Sequence, residues 1–235
     1  MNAMTGSNSS CKNVAILLSN ALRLLIACGS LSLCSTRAQS FQNLDFEGIG
    51  ASEISADGIW LAWSLAAPGW RHAVGGDSVF VYHNTPPQSH LGQYYFLADA
   101  SSSSWEPLAG QFSLTLVSGH YNRNDSSSPW VNAYIEQDGL IPGDTKSFQV
   151  LAEGQFTLSI NSTPVQVIDL GENRFAADIS NFAGQFVNLR LSNDSRELYT
   201  PVTIDNLSFS PQVVPEPSAL ALFALALVAR KLRRR

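Results

Sequence analysis

The chain has 235 residues, of which 14% are charged, 45% are hydrophobic and 10% are aromatic, and its formal net charge is −5. So few charges combined with this many aromatic residues argue against a disordered chain, and the mild negative charge argues against a nucleic-acid-binding protein. The length suits one domain, or two, with a buried core. The charge is unevenly spread, because residues 39–210 hold 6 basic and 18 acidic residues whereas both ends of the chain are basic.

Residues 1–38 have the parts of a secretory signal peptide. Basic residues up to Arg23 precede a mostly apolar stretch, Leu24–Cys34, and the small residues Thr36 and Ala38 then fit a cleavage site after Ala38. The apolar stretch is short for a membrane span, which disfavours an uncleaved anchor. All three cysteines precede the predicted cut, so the exported protein is expected to contain neither a disulfide nor a cysteine-ligated metal.

Residues 39–210 predict an all-β domain. Short runs alternate between apolar and polar residues and are broken by Gly, Pro, Asn, Asp and Ser, with no convincing helical periodicity. About a dozen such runs predict a two-sheet antiparallel β-sandwich. Strands are predicted at 41–46, 59–65, 78–83, 91–97, 112–116, 130–136, 147–151, 156–160, 165–169, 186–191 and 202–209.

Two recurring patterns predict turns. Gly-Gln-Phe occurs at 110–112, 154–156 and 184–186, and its unequal spacing excludes a solenoid or propeller. We expect each Gly to form a turn and each Phe to begin a buried strand face. Asp-Gly at 57–58 and at 138–139 is likewise predicted to form turns.

The first and last predicted strands carry similar motifs. Residues 43–47 read Asn-Leu-Asp-Phe-Glu, and residues 204–209 read Ile-Asp-Asn-Leu-Ser-Phe. This pairing resembles the galactose-binding-like jelly rolls found in many carbohydrate-binding modules. The resemblance implies a jelly roll in which the two strands are neighbours, with an immunoglobulin-like sandwich as the alternative.

The same resemblance implies a metal site. In such folds the glutamate after the first strand and the aspartate of the last often help to hold a structural Ca²⁺, and here these residues would be Glu47 and Asp205. Calcium takes six to eight oxygen ligands, so carbonyl groups would supply the rest. The alternative is a surface carboxylate and a turn-forming aspartate.

No motif in the sequence indicates catalysis. The four histidines form no metal-binding pattern, Gly-x-Ser-x-Gly is absent, and no pair of carboxylates stands out. We therefore predict that the protein is not an enzyme and assign no catalytic residue. A secreted glycan-active hydrolase is the least favoured alternative.

The tryptophans suggest a ligand instead. Sugar rings stack on aromatic rings, and Trp105 and Trp130 are flanked by serine-rich segments that read as loops. Together with Trp70 they are our candidates for contacts with a glycan. The alternative for each is packing in the core, and alternation predicts that at least one of Trp60 and Trp63 is buried.

The C-terminus has three parts in a fixed order. Val214–Ser218 contains Pro215, Glu216 and Pro217, an apolar segment follows at 219–229, and the chain ends in a basic cluster at 230–235. A helix over 219–229 is about 17 Å long, which is shorter than the roughly 30 Å hydrocarbon core. The basic residues, which would stay cytoplasmic, are Arg230, Lys231, Arg233, Arg234 and Arg235.

This tail resembles the PEP-CTERM sorting signal of bacterial exosortase substrates. The resemblance implies export, transient association with the inner membrane of a Gram-negative bacterium, and cleavage near Pro215–Pro217 by a membrane protease. A simple tail anchor is the alternative.

We therefore predict a signal peptide at 1–38, a β-sandwich domain at 39–210 and a sorting signal at 211–235. The expected function is that of a non-catalytic envelope or extracellular-matrix protein that binds extracellular polysaccharide. The alternative is an adhesin-like module that binds protein partners through a sheet edge or an apolar patch.

Overall fold

The computed structural model describes residues 39–49, 60–73, 80–84, 91–101 and 106–214, without the side chains of Trp60 and Phe80. The chain divides into two units, Met1–Arg37 and Ala38–Arg235, and every described residue belongs to the second. The described part is mostly β, as predicted, and its helices are α1 (Trp63–Ala66) and a 3-10 turn at Ser180–Phe182.

The described ranges contain fifteen strands. In chain order they are β1 (Trp60–Ala62), β2 (Arg71–His72), β3 (Phe80–His83), β4 (Tyr94–Asp99), β5 (Phe112–Val117), β6 (Gly119–His120), β7 (Trp130–Val131), β8 (Ala133–Leu140), β9 (Ser147–Glu153), β10 (Thr157–Ile160), β11 (Thr163–Val165), β12 (Ile168–Gly171), β13 (Arg174–Asp178), β14 (Phe186–Asn193) and β15 (Pro201–Ser210).

These strands form two large sheets and a small hairpin. The larger sheet has the order β1-β3-β4-β5-β15-β9-β13-β12, the smaller has the order β11-β10-β14-β8-β2, and β6 pairs with β7. The paired strands are antiparallel except for β3 and β4. The prediction of antiparallel sheets in an all-β domain is confirmed.

The hydrophobic core lies between the two large sheets. Leu114 and Ile204 of the larger sheet belong to the same buried cluster as Ile135 and Leu189 of the smaller one. On β8 and β14 every second residue is buried, which is the alternation expected of strands with one solvent-facing side.

The first predicted strand, 41–46, is not a strand. Asn43 and Phe46 have φ values of 48° and 55°, which interrupt an extended ladder. The segment still lies beside the last strand, because the Leu207 amide donates to the Leu44 carbonyl at 2.8 Å. The jelly-roll topology itself stays a prediction.

The Gly-Gln-Phe prediction holds for the glycines and in part for the phenylalanines. Gly110, Gly154 and Gly184 all have positive φ, at 59°, 97° and 73°. Phe112 is buried, but Phe186 is 56% exposed because it points out of the smaller sheet.

Asp138-Gly139 does not form the predicted turn. Both residues lie inside β8, paired with β14. A Cβ atom on Gly139 would lie 2.8 Å from the Phe41 ring, so the glycine lets that ring pack against the strand. Asp57-Gly58 lies outside the described residues.

Candidate functional site

The outer surface of the smaller sheet carries a connected group of charged and polar side chains. Arg71 donates from Nε to Glu136 at 3.2 Å and from Nη1 to Asp138 at 2.6 Å. Arg190 donates to Glu136 from Nε at 2.9 Å and from Nη2 at 2.5 Å. Asn188 donates from Nδ2 to Asp138 at 2.9 Å. Strand register places these residues in adjacent rows across β2, β8 and β14.

Tyr134 completes the group. The Arg190 guanidinium lies over its ring, with Cζ 4.1 Å from the ring centroid, which fixes the direction of the arginine. We call the following side chains the polar face: Arg71, Tyr134, Glu136, Asp138, Asn188 and Arg190.

Electrostatics hold Arg71 and Asp138 of the polar face in their charged forms. The hydrogen bond to Asp138 raises the pKa of Arg71, and hydrogen bonds from Arg71 and Asn188 lower the pKa of Asp138. The Arg71 and Arg190 side chains remain 54% and 38% exposed. Arg71 has further N–H groups with no bonded partner among the described residues. A ligand rich in hydroxyl or carboxylate groups can therefore reach rigidly held donors and acceptors.

The sequence reasoning missed this group. The strand predicted at 186–191 contains Asn188 and Arg190, but the sequence does not connect them with Glu136 and Asp138. Alternation over Ala133–Leu140 could have predicted a second strand with Glu136 and Asp138 on its outward side. The turn predicted at Asp138-Gly139 instead ended the predicted strand at residue 136.

The three tryptophan candidates for glycan contact have different outcomes. Trp70 is 4% exposed and its indole N–H donates to the Asn43 carbonyl at 3.0 Å, so it is a core residue and cannot stack on a sugar. Trp130 is half-buried on β7, and its ring meets the His120 ring at 5.2 Å. Its buried indole N–H has no hydrogen-bond partner among the described residues. Trp105 lies outside them.

Trp63 is buried, as the alternation argument allowed. It lies in α1 rather than in a strand, and its indole N–H donates to the Trp70 carbonyl at 2.7 Å.

Glu47 and Asp205 both bind the turn that leads into β5. Glu47 Oε1 accepts hydrogen bonds from the amides of Gln111 and Phe112 at 2.6 and 3.1 Å. Asp205 Oδ2 accepts them from the Ala109 amide at 2.9 Å and from the Ser113 hydroxyl at 2.7 Å. The two carboxylates therefore hold one turn from two sides, and we call this arrangement the carboxylate turn.

The donors at the carboxylate turn do not fit a cation site. Amide and hydroxyl hydrogens already occupy the oxygens that a calcium ion would need, and no three metal-ligating side chains converge within the described ranges. A calcium ion held by Glu47 and Asp205 stays a prediction. Burial, with the charge of Glu47 adding to it, raises the pKa of Asp205 to about 6.

A second polar cluster lies at the ends of β3 and β4. Asp99 accepts hydrogen bonds from His83 at 2.7 Å, from Asn84 at 2.8 Å and from the Ser101 hydroxyl at 2.5 Å. Burial alone would raise its pKa, but these hydrogen bonds outweigh it and lower the pKa of Asp99 to about 2. With its pKa lowered to about 2, the Asp99 carboxylate is too weak a base to activate the Ser101 hydroxyl, so the cluster is a carboxylate held by donors.

The described chain ends immediately after the last strand. Lys146 donates its amide to the Ser210 carbonyl at 2.8 Å, and the Ser147 hydroxyl donates to the Gln212 carbonyl at 2.8 Å. Val213, the next residue, is 74% exposed. Within the described ranges no helix is long and apolar enough to cross a membrane, and the predicted apolar segment at 219–229 lies outside them.

Residues 213–235 match the PEP-CTERM protein-sorting motif. The chain therefore carries the signal by which exported proteins reach exosortase, a membrane protease, and it is exported and sorted to the cell envelope. The prediction made from Pro215, Glu216 and Pro217 and the basic end is confirmed. No curated protein matches the sequence.

Several solved structures are similar to the described fold. An apo cyclase from Fischerella sp. is 13% identical with a TM-score of 0.44, and the match covers 75% of this chain and 98% of that one. A Stig cyclase from Fischerella sp. TAU in complex with (3Z)-3-(1-methyl-2-pyrrolidinylidene)-3H-indole is 14% identical with a TM-score of 0.43, covering 72% and 94%. Another cyclase from Fischerella sp. TAU is 12% identical with a TM-score of 0.43, covering 75% and 98%.

These neighbours correct the prediction that the protein is not an enzyme. That prediction excluded catalysis from the sequence alone, whereas the similar solved structures are enzymes. At these TM-scores the likeness assigns no reaction to this chain.

Proposed function

We propose that the protein is held transiently at the inner membrane of a Gram-negative cell, is cut near Pro215–Pro217 by exosortase, and then binds polysaccharide at the cell surface or in the extracellular matrix. The observation that carries the sorting part is the position of the motif. Its match begins at Val213, three residues after β15 ends at Ser210. Cleavage there removes the tail and leaves every strand of the sandwich intact.

Sorting is tested by deleting the chain after Pro211. The shortened protein is expected to be exported without delivery to the cell surface, as measured by labelling of intact cells. Surface delivery that persists unchanged would refute the sorting part of the proposal.

Polysaccharide binding is supported by the chemistry of the polar face. Arginine, carboxylate and amide groups bond well to sugar hydroxyls and to the carboxylates of acidic sugars. These groups lie on three paired strands, whose ladder holds them at fixed spacing, and Tyr134 holds Arg190 in place. The half-buried Trp130 is a second candidate contact.

A matched pair of arginines tests this binding. Arg71 on the polar face and Arg174 on the larger sheet have side chains that are 54% and 58% exposed. With the extracellular polysaccharide of the producing cells as the probe, Arg71→Ala should weaken binding about tenfold, since a charge-assisted hydrogen bond contributes roughly 1.5 kcal/mol. Arg174→Ala should bind like the unchanged protein.

Equal binding by both variants would refute a role for the polar face. If neither variant alters polysaccharide binding while Trp130→Ala removes it, the ligand site is the β6-β7 hairpin. If the unchanged protein binds no polysaccharide at all, the protein-binding module becomes the better hypothesis.

A further inference from the structure

Both ends of the described body emerge at one end of the sandwich. The Leu140 amide donates to the Gln39 carbonyl at 3.0 Å, and the Ser147 hydroxyl donates to the Gln212 carbonyl at 2.8 Å. Leu140 and Ser147 flank a single six-residue connection between β8 and β9. The terminal end of the sandwich consists of Gln39–Ser40, Ile141–Lys146, Ile179–Phe186 and Pro211–Val214.

The opposite end is far from the sorting motif. β15 pairs with the end of β5 at Pro201 and Val117, and with the start of β9 at Ser210 and Ser147. Ten residues of strand at about 3.4 Å each separate these points by roughly 30 Å. The β6-β7 hairpin and its loop, 121–129, follow β5 at this distal end.

The segment between the sandwich and the motif is too short to keep the sandwich out of contact with a protease that cuts at the motif. Among the described residues Gln212 is the last with a hydrogen bond to the body, and Pro215 follows three residues later in the sequence. At no more than about 3.6 Å per residue, Pro215 lies within roughly 11 Å of Gln212. By the same measure, the apolar segment that begins at Ala219 starts within about 25 Å of it.

The terminal end also exposes apolar side chains. Val213 is 74% exposed, and Phe186, the first residue of β14 after the Ile179–Gln185 connection, is 56% exposed. Large apolar side chains with this much exposure suit a surface that is covered by a partner.

We propose that the terminal end is the surface on which the membrane protease docks when it cuts the tail, with Phe186 as its exposed apolar contact. This inference rests on the proposed function, because it assumes that the protease acts near Pro215–Pro217. It goes further in giving the folded body a part in processing, in addition to the linear motif.

Crosslinking in cells tests the docking directly. A photo-crosslinking residue fits at Gly143, where an added Cβ meets nothing within 4 Å. Ser126, exposed in the distal loop, is the matched position. In cells that make the full chain and the protease, Gly143 should give an adduct between them and Ser126 should not. Equal adducts, or none at either position while the tail is being cut, would overturn the inference.

A second test compares two equally exposed aromatic residues. Phe186→Ala at the terminal end should slow tail cleavage about tenfold, the loss expected for one aromatic contact at an interface. Tyr121→Ala, whose side chain is 55% exposed at the distal end, should be cut at the unchanged rate. Far-ultraviolet circular dichroism checks that both variants are folded. Equal cleavage rates would overturn the inference.

The two proposals fail in distinguishable ways. Replacing Pro215, Glu216 and Pro217 by alanine should stop cleavage, and if cleavage continues, the proposed function fails. If that triple variant stops cleavage but a 20-residue Gly/Ser spacer after Gln212 changes neither the cleavage rate nor the Gly143 adduct, only the docking inference fails.

Discussion

The outer surfaces of the two large sheets differ in how far their side chains are exposed to solvent. On the smaller sheet, β8 alternates strictly between buried and half-buried residues, and its outward Tyr134, Glu136 and Asp138 belong to the polar face. On the larger sheet, β5 is buried at every position and β4 at all positions but the last. The outward residues Tyr94 and Phe96 of β4 belong to a second buried cluster, separate from the main core.

Polar residues can occupy the buried outer surface of the larger sheet because they form hydrogen bonds with one another. The outward residues of β5 include Ser113 and Thr115, which are fully buried. Ser113 donates to Asp205, and Thr115 shares a hydrogen bond of 2.9 Å with Thr203 of β15. The polar groups are satisfied across strands, so their burial costs little. On the smaller sheet the same kinds of bonds face solvent and are free to exchange with a ligand.

The largest effect should come from removing a ring on the covered surface. Phe96 is 1% exposed, so Phe96→Ala should lower the free energy of unfolding by about 3–5 kcal/mol through lost burial and a cavity. Tyr134→Ala on the polar face should cost only about 1 kcal/mol, the cation–π contact included. Urea unfolding measures both, and similar costs would contradict the contrast between the two surfaces.

The carboxylate turn gives the next largest effect. Gly110 has φ of 59°, and a Cβ atom there would collide with Glu47 Oε1. Gly110→Ala should therefore cost about 2–4 kcal/mol, from left-handed strain and the loss of two hydrogen bonds. Gly171→Ala is the control, because Gly171 also has positive φ, at 84°, but has nothing within 4 Å of an added Cβ. It should cost about 1–2 kcal/mol.

Two carboxylates of the larger sheet should respond to pH in opposite directions. An unfolded aspartate has a pKa of about 3.9, whereas the pKa of Asp205 is about 6 and that of Asp99 is about 2. The stability that protonated Asp205 contributes is present below about pH 4 and is lost as the pH rises to about 6. The contribution of ionised Asp99 is present above about pH 4 and is lost as the pH falls toward 2.

Asparagine variants separate the two carboxylates. Between pH 4 and pH 6 the unchanged protein should lose stability relative to Asp205→Asn, and between pH 4 and pH 2 it should lose stability relative to Asp99→Asn. Thermal unfolding at stepped pH measures both differences. A flat difference for Asp205→Asn would show that its burial does not perturb its titration.

The smallest effect on stability should come from the polar face. Arg71→Ala breaks two ion pairs whose arginine is 54% exposed, so it should cost less than about 1 kcal/mol, and high salt should reduce that cost further. Urea unfolding at low and high salt measures the effect. Combined with a large loss of polysaccharide binding, this small cost would show that the polar face serves a ligand more than it serves the fold.

Alternation in the sequence predicted most of the strands but not their partners. The strand predicted at 186–191 is present, and its Val187, Leu189 and Leu191 are buried because β14 has one solvent-facing side. Arg174–Asp178 was missed as a strand, since its polar ends and central alanines give little alternation. Position 138–139 was misassigned because Asp-Gly favours turns locally, and the packing of Phe41 on Gly139 overrides that preference.

Prediction of functional residues succeeded only where the signal is linear. The sorting motif is contiguous, so its order of proline motif, apolar segment and basic end is readable without a fold. Trp70 could not be assigned correctly, since its burial depends on the distant Asn43 carbonyl that accepts its indole hydrogen. Glu47 and Asp205 were predicted as calcium ligands, and the sequence did not indicate that both accept hydrogen bonds from a turn in a third segment.

The class of fold and the sorting of the protein to the cell envelope can be read from the sequence, because hydrophobic alternation and a contiguous sorting motif are local properties of the chain. Which polar residues meet depends on the tertiary structure. Arg71, Glu136 and Arg190 are separated by more than fifty residues at each step and come together through strand pairing. Gln39 and Gln212 likewise come to one end of the sandwich only in the folded protein. Leu140 and Ser147, which flank the β8-β9 connection, donate hydrogen bonds to their carbonyl groups and so hold both there.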